Sequence, residues 1–391
     1  MKFVLPLARA IDPDLAADVE KQAVYVSIDL IALRVSPDRS SVEIEGQGDE
    51  NELRAKVETF LRSMVSRSRP LERKIVHSRK RNNPALHRAV YQEMKKRGWA
   101  IELGRGQVGL TGPALLAAQA IDRRCAQLAQ AQFGAVEAAY PALIPATVLG
   151  RCGYFHSFPH AVSFVSHLVE DFDRIEEFRR ANAAGNLVVP MGVLPTPEAC
   201  LTPAVCYHAY QSLEGEKLRA GRVLTSVGKC FRYESKNMTG LDRLWDFTMR
   251  EIIFIGNETW VNAQRQAAID AVRAQMEEWD LEGTIETAND PFFPAAYASK
   301  TYWQVRGDLK FELRLTIEPK PDGEMRSLAV GSFNLHENFF GNTFDITADD
   351  GAPAFTGCVG WGLERWVLAA FTQHGFDAAD WPSRLRSEIF S

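Results

Sequence analysis

The sequence predicts an α+β protein, in which a mostly antiparallel sheet flanked by helices follows a small N-terminal α/β accessory domain. In the second half of the chain, strand patterns succeed one another as hairpins with helical patterns between them, which is typical of an antiparallel sheet with helices outside. In the first hundred residues, two strand patterns and a helical pattern end at a basic stretch interrupted by Asn82-Asn83-Pro84, which favours a linker. The 391 residues are enough for two or three domains.

The N-terminal domain is predicted over residues 1–83. Residues 23–35 are rich in Val, Ile and Leu and predict a buried strand, and residues 41–45 alternate as a half-buried strand does. Residues 36–39 between them predict a turn with proline at its second position. Asp49 precedes apolar residues at helical spacing, so we expect it to cap a helix.

Residues 84–106 are predicted as a basic linker and hairpin region, and residues 107–391 as the main domain. Glycines punctuate a predicted hairpin over 101–110, and residues 115–133 predict a helix that Gly134 ends. Further along, the patterns predict strands at 224–234, 246–256, 310–317 and 325–334, a helix at 258–279, and a strand end, glycine turn and helix over 360–371.

The composition excludes several classes of protein. Hydrophobic residues are 46% and charged residues 24%, as in ordinary globular domains and unlike disordered, collagenous or coiled-coil chains. No apolar run is long enough to cross a bilayer, and the N-terminus is unlike a signal peptide because Asp12 and Asp14 follow its short apolar run. Six cysteines are too few for a disulfide scaffold. We therefore expect a cytoplasmic protein whose special cysteines are metal ligands or nucleophiles.

The net charge of −5 conceals an asymmetry along the chain. Residues 62–97 contain twelve Lys or Arg and two Glu, a net charge of +10, which leaves −15 for the rest. A basic segment on an acidic protein favours an anionic partner. The alternative is a solvated linker or helix face, which such charge runs also form.

A candidate nucleotide site lies at the predicted hairpin of residues 224–256. In Phe231-Arg232-Tyr233-Glu234, side chains two apart share one face of a strand, so Arg232 and Glu234 should lie together. Phe247 follows early on the return strand. A guanidinium can bind a phosphate in fork geometry, a carboxylate can accept from the adenine amino group, and a ring can stack. The alternative is an ordinary surface ion pair.

A second candidate lies near the C-terminus, in Gly360-x-Gly362-x-x-Arg365. The glycines allow close approach of the backbone. Arg365 falls in the first turn of the helix that follows, where a cation opposes the helix dipole and therefore needs another reason to be there. A phosphate ligand would supply it, and an acidic side chain is the alternative.

The hairpin at 224–256 and the glycine segment at 360–365, taken together and in this order along the chain, resemble signature motifs of the class II aminoacyl-tRNA synthetases. The hairpin with Arg232 is similar to the second motif, and residues 360–366 are similar to the third. The helix before Gly134 together with residues 135–145 resembles the first motif, which forms the dimer interface in that class. Residues 310–313 and 332–334 correspond to an acidic segment and a Ser-x-Asn segment of seryl-type members. The resemblance implies a class II synthetase-like catalytic domain over residues 107–391, ATP as a substrate, and a homodimer.

A narrower resemblance points to one subfamily. The segments that carry it are Gly153-Tyr154-Phe155-x-x-Phe158-Pro159, the Cys-Leu-Thr-Pro-Ala-Val-Cys sequence at 200–206, and the Ser-Phe-Asn-Leu-His sequence at 332–336. They are similar to segments of the amino acid:[carrier protein] ligases, relatives of the atypical zinc-dependent seryl-tRNA synthetases of methanogens. The resemblance covers residues 100–391, and the first hundred residues match neither relative clearly.

The resemblance also implies a metal site. In both relatives zinc is bound by Cys, Glu and Cys, and the matching positions here are Cys206, Glu251 and Cys358. Two thiolates and a carboxylate would leave a fourth position open, as in catalytic zinc sites, and a substrate amino group could fill it. Spacing alone does not single out these three residues, because the chain has no Cys-x-x-Cys pair.

For the nucleotide, the resemblance implies that Arg232 binds the α-phosphate and Arg365 the γ-phosphate, with adenine between Phe247 and Arg365. Glu312 is the candidate Mg²⁺ ligand, and Ser332 is a further one. Together with Glu234, these residues make up the predicted nucleotide site.

The predicted function is activation of a small amino acid (Gly, Ala or Ser) to an aminoacyl-adenylate, followed by transfer to the phosphopantetheine thiol of an acidic carrier protein. One alternative is a zinc-dependent seryl-tRNA synthetase that charges tRNA. Another is a non-catalytic paralogue that binds an amino acid or adenylate. The basic segment at 62–97 fits either acidic acceptor.

Overall fold

The N-terminal part of the chain forms a three-stranded sheet covered by two helices. The protein is seen in a computed structural model that describes residues 1–66, 73–81, 86–238, 240–319 and 326–390. The antiparallel sheet has the order β1-β3-β2. Its elements are β1 (Lys2–Pro6), α1 (Pro13–Gln22), β2 (Leu30–Val35), β3 (Ser41–Gly46) and α2 (Glu50–Leu61).

Local side-chain chemistry explains where these helices begin. Asp49 accepts a hydrogen bond from the Glu52 amide at 2.9 Å and caps α2 as predicted. The predicted strand at 23–35 is wrong in its first half, because Ala23–Tyr25 form a 3₁₀ turn and the strand starts only at Leu30. An apolar run of this length does not by itself distinguish a strand from a short helix.

The remaining described residues form one large sheet with helices on both faces. Its elements are β4 (Ile75–Arg79), α3 (Val90–Lys96), β5 (Ala100–Gly104), β6 (Gln107–Leu110), α4 (Gly112–Phe133), β7 (Val136–Glu137), β8 (Leu143–Pro145), α5 (Ala146–Arg151), α6 (Tyr154–Ser157), β9 (Phe164–Val165), α7 (Phe172–Ala181), β10 (Ala199–Leu201), α8 (Cys206–Gln211), β11 (Arg222–Phe231), β12 (Asp246–Gly256), α9 (Glu258–Glu278), β13 (Gly283–Thr287), α10 (Pro294–Arg306), β14 (Lys310–Ile317), β15 (Arg326–Glu337), α11 (Phe339–Thr343), β16 (Phe355–Gly362), α12 (Leu363–His374) and α13 (Ser383–Ile389).

The order of the eight strands is β4-β13-β14-β15-β16-β12-β11-β7. Neighbouring strands are antiparallel except for β7, which runs parallel to β11. The predicted α+β class with a mostly antiparallel sheet is therefore confirmed. The strands 246–256 and 310–317 have the predicted bounds, and Gly134 ends α4 in the left-handed region with φ +61°.

The two faces of the central strands pack against different layers. On β12, Ile252 and Phe254 lie in a core with residues of α4, α9 and α12, whereas Ile253 and Ile255 lie in a second core with α5, α8 and α11. Because side chains alternate along a strand, Glu251 points to the same side as Ile253. This alternation selects the face on which the candidate site lies.

The basic stretch is not a free linker where the structure describes it. Strand β4 pairs with β13 at the edge of the large sheet, so the sheet begins before the boundary predicted at residue 83. Arg79 forms ion pairs with Glu277 at 2.8 Å and Asp280 at 2.7 Å, and Arg81 pairs with Asp280 at 3.2 Å. The predicted break at Asn82-Asn83-Pro84 lies outside the described residues. No helix among those described is long and apolar enough to cross a membrane.

Candidate active site

A cleft of about 660 Å³ opens on the face of the sheet that carries Glu251. All six residues predicted for the nucleotide line it. They are Arg232, Glu234, Phe247, Glu312, Ser332 and Arg365. The structure thus brings together residues from β12, β14, β15, the start of α12 and the segment after β11.

Arg232 lies just beyond the strand that was predicted to carry it. Strand β11 ends at Phe231, so the prediction that Arg232 and Glu234 share a strand face is wrong. The Arg232 Nε donates to the Pro203 carbonyl at 3.0 Å, and its guanidinium lies 5.4 Å from the centre of the Phe247 ring. A further guanidinium nitrogen lies 3.9 Å from the Met249 sulfur. Arg232 forms no ion pair among the described residues, so its charge is held at the cleft by neutral groups.

Arg365 is the third residue of α12, in its first turn as predicted. Its guanidinium donates to the carbonyls of Asp242 at 2.8 Å and Ala329 at 3.1 Å, and it too has no ion-pair partner among the described residues. Burial lowers its pKa, and Arg243 and Arg232 act in the same direction while Glu234 opposes them. A buried cation without a counterion is costly, so an anionic ligand would stabilise this arrangement.

Glu234 is held as an anion in the same cleft. It forms an ion pair with Arg243. Burial alone would raise its pKa, but Arg243 and Arg365 outweigh burial and the pKa is lowered. Its carboxylate is therefore available as a hydrogen-bond acceptor.

Glu312 reaches the cleft with cations already beside it. It pairs with Lys310 at 3.2 Å and Arg314 at 3.0 Å, and these two cations lower its pKa although burial opposes them. Its register partner on β15 is Ser332, whose hydroxyl accepts from Asn334 at 3.1 Å. The two candidate Mg²⁺ ligands are thus adjacent, but Glu312 is already neutralised by side chains of the chain.

The three predicted metal ligands meet on the same sheet face. Cys206 is the first residue of α8, Glu251 lies on β12, and Cys358 lies on β16, where its register partner is Ile253. All three are buried, and their ligand atoms lie within 4.8 Å of one another. The three residues are far apart in the sequence. They come together because of the pairing of β12 with β16 and the position at which α8 begins.

The chemistry of this cluster fits a divalent cation. Burial, together with Cys358, raises the pKa of Glu251 to about 8. Its Oε1 accepts from the Val205 amide at 2.9 Å, but its Oε2 has no partner among the described residues. A hydrogen bond to Cys358 and burial raise the pKa of Cys206. Two sulfurs and one buried carboxylate oxygen form a donor set suited to zinc, which would relieve this crowding of acidic groups.

Two further residues approach Cys358 that the sequence analysis did not assign to the metal. Asn334 Nδ2 donates to Cys358 Sγ at 3.3 Å, and His336 Nε2 lies 4.0 Å from the same sulfur. The Tyr210 hydroxyl lies 3.3 Å from His336 Nδ1. The alternation of Ser332, Asn334 and His336 along β15 was the signal that could have indicated them.

Glu364 is a third residue that the sequence did not single out. Its carboxylate accepts from the Thr248 amide and the Thr248 hydroxyl, each at 2.8 Å. This links the first turn of α12 to β12, and Arg365 follows immediately. We infer that Glu364 helps to set the direction of Arg365. An acidic residue directly before Arg365 inside the third motif was the signal available in the sequence.

No protein-family model matches the chain. Among curated proteins, amino acid–[acyl-carrier-protein] ligase 2 of Bradyrhizobium diazoefficiens is 33% identical over 287 residues, which cover 72% of this chain and 83% of that protein. The chain belongs to the amino acid–[acyl-carrier-protein] ligase family. A second such ligase from the same organism is 32% identical over 250 residues, 63% of this chain and 74% of that protein.

Relatives of this ligase-family chain also include tRNA ligases. The type-2 serine–tRNA ligase of Methanopyrus kandleri is 27% identical over 317 residues, which cover 77% of this chain and 60% of that protein. The chain thus matches about 60% of the length of the type-2 enzymes. The resemblance to both groups, predicted from the motifs, is confirmed.

Solved structures show the fold of this ligase-family chain. The M. kandleri seryl-tRNA synthetase, solved in complex with A. aeolicus tRNASec, superimposes with a TM-score of 0.72 at 24% identity, over 99% of this chain and 77% of that chain. The Pyrococcus horikoshii seryl-tRNA synthetase superimposes with a TM-score of 0.56 at 13% identity, over 87% of this chain and 78% of that chain. The class II synthetase-like fold is therefore confirmed.

Proposed function

We propose that the protein activates a small amino acid with ATP and transfers the aminoacyl group to the phosphopantetheine thiol of an acidic carrier protein. The observation that carries this proposal is the pair of guanidinium groups, Arg232 and Arg365, that face one cleft without carboxylate partners among the described residues. Gly360 lines the same cleft, and its register partner Glu251 belongs to the cluster with Cys206 and Cys358. Membership of the carrier-protein ligase family supports the same reaction.

In the first step, a carboxylate oxygen of the amino acid attacks the α-phosphorus of ATP. The bond to the bridging oxygen breaks, and pyrophosphate leaves with the electron pair. Arg232 and Arg365 bind the phosphates and neutralise charge on the reacting groups, and Glu234 accepts from the base. Such catalysis depends on positioning and on preorganised charge rather than on a nucleophile of the protein.

Zinc bound by Cys206, Glu251 and Cys358 would supply an electrophilic position for the amino group of the substrate. The surrounding residues orient these ligands. Val205 donates to Glu251, and Asn334 donates to Cys358. Donors to the ligands fix their direction and reduce their excess negative charge. Mg²⁺ at Glu312 and Ser332 remains part of the proposal, and it would have to compete there with Lys310 and Arg314.

In the second step, the thiol sulfur of the carrier attacks the carbonyl carbon of the adenylate. AMP leaves with its phosphate oxygen, a thioester forms, and the thiol proton is released. The amino acid is proposed to be Gly, Ala or Ser. These differ by a methyl or a hydroxyl group, and a hydrophobic pocket discriminates by only about 1–3 kcal/mol per methylene.

The experiment that tests this function is ATP–pyrophosphate exchange with each of the twenty amino acids, followed by transfer from the preferred one. Phosphopantetheinylated carrier protein and bulk tRNA are offered separately as acceptors. Acylation of the carrier supports the proposal. Exchange without an amino-acid requirement contradicts the proposal. No exchange at all also contradicts it and would favour a non-catalytic binding paralogue.

Charging of tRNA is the second candidate, and one observation favours it. The likeness to the M. kandleri seryl-tRNA synthetase structure extends over 99% of this chain, which includes the N-terminal domain. By sequence, the match to the M. kandleri type-2 serine–tRNA ligase extends over 77% of this chain, and the match to the carrier-protein ligase extends over 72%. Efficient charging of tRNA without carrier acylation would therefore select this alternative. A homodimer through α4 and residues 135–145 is proposed for either function, and sedimentation at micromolar concentration tests it.

A further inference from the structure

The N-terminal domain touches the segment that carries the nucleotide-binding residues. We propose that it positions this segment for ATP, with Tyr25 and Lys236 as positioning residues. The inference rests on the proposed function, because it assumes that the cleft binds ATP. It assigns the accessory domain a role in the activation step, in addition to any role in binding the acceptor.

The first contact fixes the peptide between Arg232 and Glu234. The Tyr25 hydroxyl donates to the Tyr233 carbonyl at 3.3 Å, and the Tyr233 amide donates to the Ala161 carbonyl at 3.2 Å. The backbone of Tyr233 is thus held from the N-terminal domain on one side and from the catalytic body on the other. Since Arg232 and Glu234 flank this residue, its orientation sets the direction of both side chains.

The second contact holds the turn that follows. Lys236 Nζ donates to the Leu30 carbonyl at 3.0 Å, and Asn237 Nδ2 donates to the Lys21 carbonyl at 3.1 Å. Ser235 at the start of this turn has φ +51°, in the left-handed region that a residue with a Cβ adopts at a cost. A turn with this backbone persists only where its surroundings hold it. Two of the hydrogen bonds that hold it come from side chains of the turn to the N-terminal domain.

The surroundings of Tyr25 keep its hydroxyl neutral, so that it can act as a hydrogen-bond donor beside the charged cleft. Its ring centre lies 4.5 Å from that of His160, so the ring is anchored on the catalytic body. Burial and Glu234 raise the pKa of the hydroxyl. Tyr25 therefore keeps its proton at neutral pH and can donate it to the Tyr233 carbonyl.

The domain is attached independently of these contacts. Phe292 and Tyr297 of the catalytic body are buried in the core of the N-terminal domain. Gln22 Nε2 donates to the Pro291 carbonyl at 3.2 Å, and the Tyr297 hydroxyl donates to Asp18 at 2.5 Å. Removal of a contact to residues 233–237 should therefore leave the N-terminal domain in place. Tyr297→Phe is a matched control, because it removes a hydroxyl hydrogen bond between the catalytic body and the N-terminal domain at a place away from residues 233–237.

The test compares Tyr25→Phe, Lys236→Met, their combination and Tyr297→Phe in the full chain. The dissociation constant of ATP is measured by calorimetry, and KM values for ATP and the amino acid are measured by pyrophosphate exchange. One hydrogen bond contributes about two- to tenfold, so we expect each single variant to weaken ATP binding by about that factor and the double variant by about tenfold or more. The KM for the amino acid and the metal content should stay at the parental values.

Unchanged ATP binding in the double variant would overturn the inference. An equal loss in Tyr297→Phe would also overturn it, because the effect would then be a general loosening of the two bodies. If the parent protein binds ATP but shows no exchange, the proposed function fails while the dissociation constants still test the positioning. A parent protein that binds no ATP would overturn both.

Discussion

Glu251 and Ser332 face each other across Gly360. Both are register partners of this glycine, Glu251 on β12 and Ser332 on β15. A Cβ at position 360 would lie 3.8 Å from the Glu251 side chain and 3.8 Å from the Ser332 hydroxyl. The absence of a side chain thus joins the metal cluster and the nucleotide cleft into one surface, on which an amino group and an α-phosphate could meet.

Gly360→Ala should reduce activation by about tenfold or more, since small misplacements in a preorganised site are costly. The new Cβ would approach the Met249 methyl to 2.8 Å, and this flexible side chain would have to move into the cleft. We expect higher KM values for ATP and the amino acid with an unchanged unfolding transition. Gly109→Ala is the control, because Gly109 does not line the cleft and the atom nearest to its new Cβ would lie at 3.7 Å. Parental exchange kinetics in Gly360→Ala would contradict this account of the junction.

The purified protein should contain one zinc ion per chain. Cys206→Ala and Cys358→Ala should each lose it, because two ligands hold a metal far less firmly than three. Cys200→Ala is the control, since Cys200 is buried but lies outside the cluster. Elemental analysis after dialysis against a chelator provides the measurement. Stoichiometric zinc in both ligand variants would refute the assignment.

Replacing the cleft arginines should separate nucleotide binding from metal binding. Arg232→Ala is expected to lower pyrophosphate exchange by on the order of a hundredfold or more, as loss of one donor to a reacting group does. Arg365→Lys keeps the charge but loses the planar fork that binds two oxygens, so it should also be impaired. Zinc content should not change in either variant. Near-normal exchange in Arg232→Ala would mean that this residue does not contact the reacting phosphate.

Stability should fall in mild acid because of His374. The side chain is 2% exposed, and burial lowers its pKa to about 4 from 6.5. The unfolded chain therefore binds a proton below pH 6.5 that the folded chain resists until about pH 4, so this contribution is present above pH 6.5 and is lost as the pH falls through that window. At pH 5 the loss is at most about 2 kcal/mol. Urea unfolding at pH 7.5 and pH 5 should show a smaller difference for His374→Phe than for the parent.

The charge of the basic segment suggests reversing its Lys and Arg residues to test docking of an acidic acceptor, but not every residue of the segment is suitable for that test. Arg79 and Arg81 pair with Asp280, and their side chains are only 15% and 11% exposed. Reversing them should destabilise the fold rather than act on transfer alone, and Arg79→Met should cost about 1 kcal/mol of unfolding free energy. Lys80 is exposed between them. Lys80→Glu is therefore the variant that tests docking of an acidic acceptor, through a slower transfer rate with unchanged exchange.

Much of the fold could be predicted because its signals are local. The alternation along residues 246–256, the Asp49 cap and the left-handed Gly134 each depend on near neighbours in sequence, and each is confirmed. The start of the large sheet could not be predicted in this way. Strand β4 is defined by hydrogen bonds to β13, about two hundred residues away, and its five residues, Ile-Val-His-Ser-Arg, are too few and too mixed to show a strand pattern by themselves. Such pairing depends on which edge is free once the sheet has formed.

The candidate site divides in the same way. The types and order of Arg232, Arg365 and the three metal-binding candidates could be identified from the sequence, because motifs preserve the residues that chemistry requires. Their surroundings could not. That both arginines are directed by carbonyls, that Glu312 is already paired, and that Tyr25 reaches the Tyr233 carbonyl depend on contacts between distant segments. The sequence by itself determined which chemical groups are present, and the tertiary structure decided which of them are neutralised, because charge and burial depend on neighbours in space.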